Sequence, residues 1–355
     1  MPHLNIVTGI RRITQKQLLP KVSQKWKHQF EFGMKAYALR SFQSATGNAR
    51  MVVANPNTAS RKSERLLANL KLADQLGQIF DTFKFVKPTS YVNVDHSDMH
   101  DIVALVGAVQ TDMGRAIPCM VEATYASTIP ADGSSMSTPR LKHLRAAMVA
   151  SRQYQSLTGH VIDSLQNFAD RLGFWPRLVF DRGFGSESLI RHLVAEEATF
   201  YIRLKAGRYV TMAGERYRVD HLKQADANVL LSGLQLRVVR SPQTKRCEEP
   251  WYILTNDFAS SRNKIIKIYY HRFEIEETFR DIKHIWELKR TRLNKPNSVK
   301  TILWFVALGI ASLYLLLKPD KFEQRSPNPK KRISWLRRAQ EAYLRDLGRL
   351  AWAYG

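Results

Sequence analysis

The chain has 355 residues, 44% hydrophobic and 10% aromatic, enough to bury one large core or two modest ones and too apolar for a disordered chain. Lysine and arginine number 55 against 31 acids, a formal net charge of +24. Self-repulsion on that scale calls for a polyanionic partner, of which nucleic acid is the commonest, and two cysteines, Cys119 and Cys247, exclude a disulfide framework or a four-cysteine zinc site.

Residues 1–90 hold fifteen basic and four acidic side chains. Apolar residues recur there at helical spacing over Gln17 to Phe30 and Arg61 to Phe85, with a loop rich in Asn, Ala, Gly and Pro expected over Ala45 to Ser60 and a short helix or strand at Met51 to Val53 as the alternative within it. The start, Met1 to Asn5, lacks the charged residues and long apolar run of a secretory signal, so a cytoplasmic protein is expected.

From Tyr91 the pattern turns to strands. Tyr91 to Asp95 reads as a strand ending in an acid, followed by Ile102 to Val109 and Ala116 to Tyr125. Short links between the three predict an antiparallel meander. A polar loop over Ser127 to Ser137 precedes a helix over Leu141 to Leu172, with a break near Gly159 as the alternative. Trp175 to Asp181 is a second strand ending in an acid, and a helix over Ser186 to Glu197 follows with Ser186 as its cap.

Six more strands are predicted: 199–204, 209–212, 216–219, 229–231, 236–239 and 251–255. Trp251 is read as a core residue rather than a base-stacking one. Helical texture returns at Ser261. The uncharged run Ile302 to Leu317 falls short of the roughly twenty residues needed to span a bilayer and predicts a buried helix. The tail, 318–355, holds ten basic and four acidic residues and ends in an amphipathic pattern.

One segment concentrates the chemistry. Read as a single helix, Tyr269 to Lys283 places Tyr269, Arg272, Glu276 and Lys283 on one stripe, with steps of three, four and seven residues. A carboxylate flanked by cations and a phenol suits a metal ion beside a phosphate, which Arg binds through two parallel hydrogen bonds. Asp95 and Asp181, at strand ends, are the other candidate acids. Asp98 competes with Asp95 for the first position, and His96 and His100 do not complete a zinc set.

The Tyr, Arg, Glu, Lys spacing resembles the motif of bacterial insertion-sequence transposases of the DDE type. Asp181-Arg182-Gly183-Phe184 resembles the block around their second acid, and Phe200 to Lys205 their next strand, whose basic residues point toward DNA. The pattern departs after Asp95, where His96, Ser97 and Asp98 replace the small hydroxyl residues usual in that family.

The resemblance implies an α/β, ribonuclease H-like mixed sheet flanked by helices over residues 91–317. A β-rich insertion at about 206–258 precedes the Glu-bearing helix, a basic helical DNA-binding region occupies 1–90, and a basic tail follows at 318–355. It further implies Asp95, Asp181 and Glu276 as ligands of two Mg2+ ions, with Mn2+ able to substitute. Arg182, Arg203, Tyr269, Arg272 and Lys283 would contact DNA phosphates. The expected activity is cut-and-paste transposition: strand cleavage at transposon ends and transfer into target DNA. The partner would be double-stranded DNA, terminal inverted repeats and target, held by a homodimer with no membrane. The alternatives are a ribonuclease H-like nuclease without strand transfer and a catalytically inactive DNA-binding protein.

Overall fold

The computed structural model describes residues 12–38, 44–99, 102–111, 114–125, 156–243, 249–284, 286–288, 293, 295–317 and 339–343. The expected loop over 127–137, the first half of the 141–172 helix, His100 and nearly all of the tail lie outside them.

A ten-stranded mixed sheet organises the chain. Its strands are β1 Tyr91–Met99, β2 Ile102–Val109, β3 Ile117–Tyr125, β4 Arg177–Phe180, β5 Phe200–Leu204, β6 Tyr209–Met212, β7 Glu215–Arg218, β8 Asp226–Leu231, β9 Leu234–Arg240 and β10 Tyr252–Thr255. They run in the order β3-β2-β1-β4-β5-β10-β9-β8-β6-β7. β1, β2 and β3 form the antiparallel meander, whereas β1, β4 and β5 are parallel. The order 3-2-1-4-5, with helices on the sheet's faces, agrees with the ribonuclease H-like expectation. Strands drawn from 206–258 continue this sheet, because β10 pairs antiparallel with β5 and β9 pairs with β10.

Alternation along the strands sorts two cores. Val92, Val94, Leu178, Phe180, Phe200 and Ile202 join the large core. Val179, Tyr201, Val239 and Ile253 project to the other face and form a smaller cluster, against which Tyr91 packs. β2 is buried along its whole length, as expected of an apolar strand between two neighbours. The β6–β7 and β8–β9 hairpins turn on Ala213-Gly214 and Ser232-Gly233, all four residues at positive φ, the geometry a two-residue hairpin requires.

The helices are α1 Gln24–Gly33, α2 Ala45–Arg50, α3 Pro56–Leu67, α4 Leu70–Asp81, α5 Leu157–Leu172, α6 Glu187–Ala195, α7 Arg262–Tyr270, α8 Phe273–His284 and α9 Pro296–Leu317. Two expectations in the N-terminal region change. The 45–60 segment contains α2, whose N-terminus is capped by Ser44 accepting from the Gly47 N–H at 2.9 Å. The 61–85 helix is two helices with a break at Ala68–Asn69.

The helix α9 is longer than its uncharged run. It is the one described helix long and apolar enough to cross a membrane, and 78% of its apolar window is buried inside the protein. It packs on β3, β2, α3 and α4. At Gly33 the last turn of α1 meets it so closely that a Cβ would lie 2.1 Å from the Phe305 ring.

Candidate active site

Strand register assembles the site. Val94 sits opposite Phe180, and Phe180 opposite Ile202. One step further along three adjacent parallel strands come Asp95, Asp181 and Arg203. Period-two alternation puts all three on the face of Asn93, Val179 and Tyr201, the face that α7 covers through Ile265, Ile268 and Tyr269. Neighbouring strands lie about 4.8 Å apart, so the row sets two carboxylates and a guanidinium stem side by side.

Asp95 does not end its strand. β1 continues to Met99, paired residue by residue with β2 as far as Ile102. His-Ser-Asp lies beyond the expected end of the strand, but the hairpin extends through it. The alternation also separates the two candidates for the first acid: Asp98 is exposed and lies on the opposite face from Asp95. His96 also turns from the site, stacking on Phe184 with centroids 4.6 Å apart and planes within 9°. Burial, then the neighbouring His160, pushes its imidazole down to about 4, so it is a neutral packing group.

The single helix expected over 269–283 is broken. α7 stops at Tyr270 and α8 starts at Phe273. The turn between them is held by the sheet: Asn93 Nδ2 donates to the His271 carbonyl at 3.0 Å, and Gln110 Nε2 to the Ile268 carbonyl at 3.2 Å. These bonds satisfy backbone acceptors that a helix end leaves open. α8 is fixed independently. Thr278 Oγ1 accepts from the Ala116 N–H at 3.0 Å, and Glu274 accepts from the Thr111 N–H at 3.0 Å.

The break delivers Arg272 to the acids. Its side chain is only 3% exposed. Nη1 lies 3.6 Å from Asp95 Oδ2, and Nη2 donates to Glu276. Its carbon head lies 4.7 Å from the Phe273 ring centre and 5.8 Å from that of Tyr269. Burial opposes its charge, yet Tyr269, Asp181 and Glu276 raise its pKa on balance. Tyr269 is fully buried, and burial keeps its phenol protonated well above the ordinary range.

Of the other expected phosphate contacts, Arg182 is exposed on the helical turn that follows Asp181. It lines a groove of about 600 Å³ with Gly183, Gly185, Ser186, Leu204, Lys205, Gly207 and Arg208. Arg208 there pairs with Glu187 at 3.0 Å. Lys283 stands two turns beyond Glu276 on α8, half-buried, with Nζ 5.9 Å from the Phe279 ring centre. Trp251 is 5% exposed and packs on Tyr269 and Phe273, as a core tryptophan.

The donor chemistry fits a divalent cation. Burial pushes the Asp95 carboxyl up to about 6; the His96 N–H and Arg272 lower it, and Asp181 and Glu276 raise it further. A hard cation would relieve that repulsion with oxygen ligands of the type it prefers. A closed three-carboxylate cage is not formed: among the described residues no three His, Cys, Asp or Glu side chains stand close enough to hold a metal alone. Arg272 stands between Asp95 and Glu276 instead. Among the described residues its Nε and Nη1 and the Tyr269 hydroxyl are buried with no hydrogen bond, Nη1 having only its 3.6 Å ion pair with Asp95, and guanidinium donors so placed suit an anion such as a phosphate.

Comparison with known proteins adds the following. Residues 146–311 match the model of the transposase DDE domain. That span contains Asp181 and Glu276, whereas Asp95 precedes it. No curated protein matches the chain. Among solved structures the chain is similar to the cryo-EM structure of the piggyBac transposase synaptic complex with hairpin DNA, with a TM-score of 0.41, 10% sequence identity, and coverage of 98% of this chain and 78% of that one. The segment that supplies the second acid, the cation-bearing turn and the Glu-bearing helix is therefore similar in sequence to a transposase DDE domain, and this match supports a DDE-type transposase.

Proposed function

We propose that the chain is a DNA transposase that cuts at transposon ends and joins the freed ends to target DNA. The observation that carries this reading is the site itself: Asp95 and Asp181 neighbours on one sheet face, and Glu276 linked to Asp95 through a buried Arg272. A purely structural helix pair would have little use for an arginine with two orphaned donors between acids.

Asp95, Asp181 and Glu276 would hold two Mg2+ ions. When bound, such ions activate a water or a 3′-hydroxyl for attack on phosphorus and stabilise the leaving oxygen. Arg272 supplies planar donors to the scissile phosphate, held in place by the Phe273 and Tyr269 rings. Tyr269, kept protonated, donates from the same side. Arg203 and Lys283 flank the site, and Arg182 in its groove holds the strand beyond the cut. The basic helices before residue 90 would grip the duplex of the terminal repeats, in a dimer bridging two ends.

Cleavage of a plasmid carrying the chain's native flanking DNA, in Mg2+ or EDTA, tests the reading with wild type and Glu276→Gln. Metal-dependent cuts at defined ends, joined products, and loss of both in the variant are expected. Cuts without joining would establish a nuclease instead. End-binding with no cleavage in any metal would establish an inactive DNA-binding protein.

A further inference from the structure

The helix preceding the break divides its charge sharply from the helix following it. α7 contains Arg262, Lys264 and Lys267 and no acid, whereas α8 carries the acids Glu274, Glu276, Glu277 and Asp281 beside the bases Arg280 and Lys283. Ile265, Ile268 and Tyr269 bury one side of α7 on the sheet. The opposite side presents Asn263, Lys264, Lys267 and Tyr270 to solvent, at the steps of three and four residues that define a helix face. Neither lysine has an acidic partner among the described residues. Arg262 is used differently, donating from Nε and Nη2 to the Arg240 carbonyl.

Tyr270 ends this face and is 55% exposed. Its ring is not adrift: it lies 6.5 Å from that of Trp251, tilted by 35°, and Trp251 also supports Tyr269 and Phe273 around Arg272. An exposed phenol braced by a buried tryptophan, next to the catalytic turn and at the end of a lysine track, has the parts of a stacking platform. Successive bases in a duplex hide their faces in the stack, so such a platform serves an unpaired base. Lys264 and Lys267 stand about 9 and 4.5 Å of helical rise before Tyr270, within reach of the adjoining phosphates.

We infer that the outer face of α7 binds a single-stranded DNA segment, with Lys264 and Lys267 on its phosphates and an unpaired base stacked on Tyr270. The inference rests on the strand-cutting reading, and it specifies the form of DNA held beside the cut: a frayed or freed end rather than intact duplex.

The test measures binding of a short single-stranded oligodeoxynucleotide carrying 2-aminopurine at its 3′ end, by fluorescence quenching with the full chain in EDTA. Wild type and Tyr270→Phe are expected to quench alike. Tyr270→Ala is expected to lose the quenching and bind about 5- to 100-fold more weakly. Lys264→Glu with Lys267→Glu should lower the slope of log affinity against log salt by about 1.4. Tyr270 is exposed, so unchanged circular dichroism and melting are expected throughout. Unaltered quenching in Tyr270→Ala, or equal losses on a blunt duplex probe, would overturn the inference.

Glu276→Gln is run beside these variants. Cleavage by wild type with unaltered quenching in Tyr270→Ala overturns the platform alone. Tyr270-dependent quenching with no cleavage by wild type in any metal overturns the transposase reading and leaves the platform standing.

Discussion

Arg272 Nη1 lies 3.6 Å from Asp95 Oδ2 while Nη2 of the same guanidinium binds Glu276. One buried cation thus holds two acids from distant parts of the chain. The arrangement is a charge balance in which a single guanidinium offsets carboxylates from β1 and α8.

Removing it should therefore be felt without substrate. In metal-free protein Arg272→Ala removes the buried cation that pairs Asp95 with Glu276. A loss of about 1–3 kcal/mol is expected, discounted because Glu276 is 45% exposed. Urea denaturation of Arg272→Ala, Glu276→Gln and the double variant checks this. A coupling energy near zero between the two positions would show that the pair contributes nothing to stability.

Metal binding should weaken in acid through Asp95. Its carboxyl titrates at about 6 in the fold, above the ordinary 3.8, because burial and neighbouring acids disfavour its charge. A group raised in this way stabilises the fold fully below the unfolded value, and that contribution is lost as pH rises through 6. The metal-free protein should thus lose stability between about pH 4 and 6, and Mg2+ should restore it above pH 6 by binding the ionised form. Thermal melts with and without Mg2+ are expected to show a shift at pH 8 that shrinks at pH 5. In Asp95→Asn the shift should be small at both.

At Gly33 the constraint is steric. An added Cβ would fall 2.1 Å from Phe305 Cζ and 2.5 Å from both ring Cε atoms. Gly33→Ala must push α1 off α9, with an expected cost of about 1–3 kcal/mol or more. The second change Phe305→Leu should recover part of it. Chemical denaturation of the two single variants and the double variant measures both effects.

Thr278→Val tests how α8 is held. The hydroxyl accepts from the Ala116 N–H and lies 2.9 Å from the Ala116 and Glu274 carbonyls. Valine keeps the shape but leaves the buried Ala116 amide only its long 3.5 Å bond to the Glu274 carbonyl, at about 1–3 kcal/mol. Hydrogen exchange at Ala116 should accelerate in the variant, and cleavage should slow as Glu276 loses its fixed support.

Much of the sheet was legible in the sequence. β2, β5 and β6 announce themselves by short runs of β-branched and aromatic residues, and Asp181 follows its apolar strand directly. The break between α7 and α8 was not legible, because 262–284 keeps helical periodicity throughout. What stops α7 is tertiary: Asn93 and Gln110 reach across from β1 and the end of β2 to take its carbonyls. Asn93 does carry a signal in the sequence. It lies two residues before Asp95, and on a strand that places it on the same face. Asp95 lies within β1 rather than at a strand end, because nothing local in His-Ser-Asp favours the pairing that β2 enforces.

The join between β5 and β10 has a further consequence, for how this molecule can be cut and rebuilt. β10 lies within the 206–258 segment, yet it is the hydrogen-bonded neighbour of the strand that carries Arg203. Excising that segment whole would turn an interior strand into a raw edge beside the acids, open to pairing with other chains. A trimmed version that keeps β10 and reconnects it directly to β5 would preserve the lattice of backbone bonds around the site. The strands beyond β10 are the detachable part, and the boundary for engineering lies between β9 and β10 rather than at the ends of the insertion.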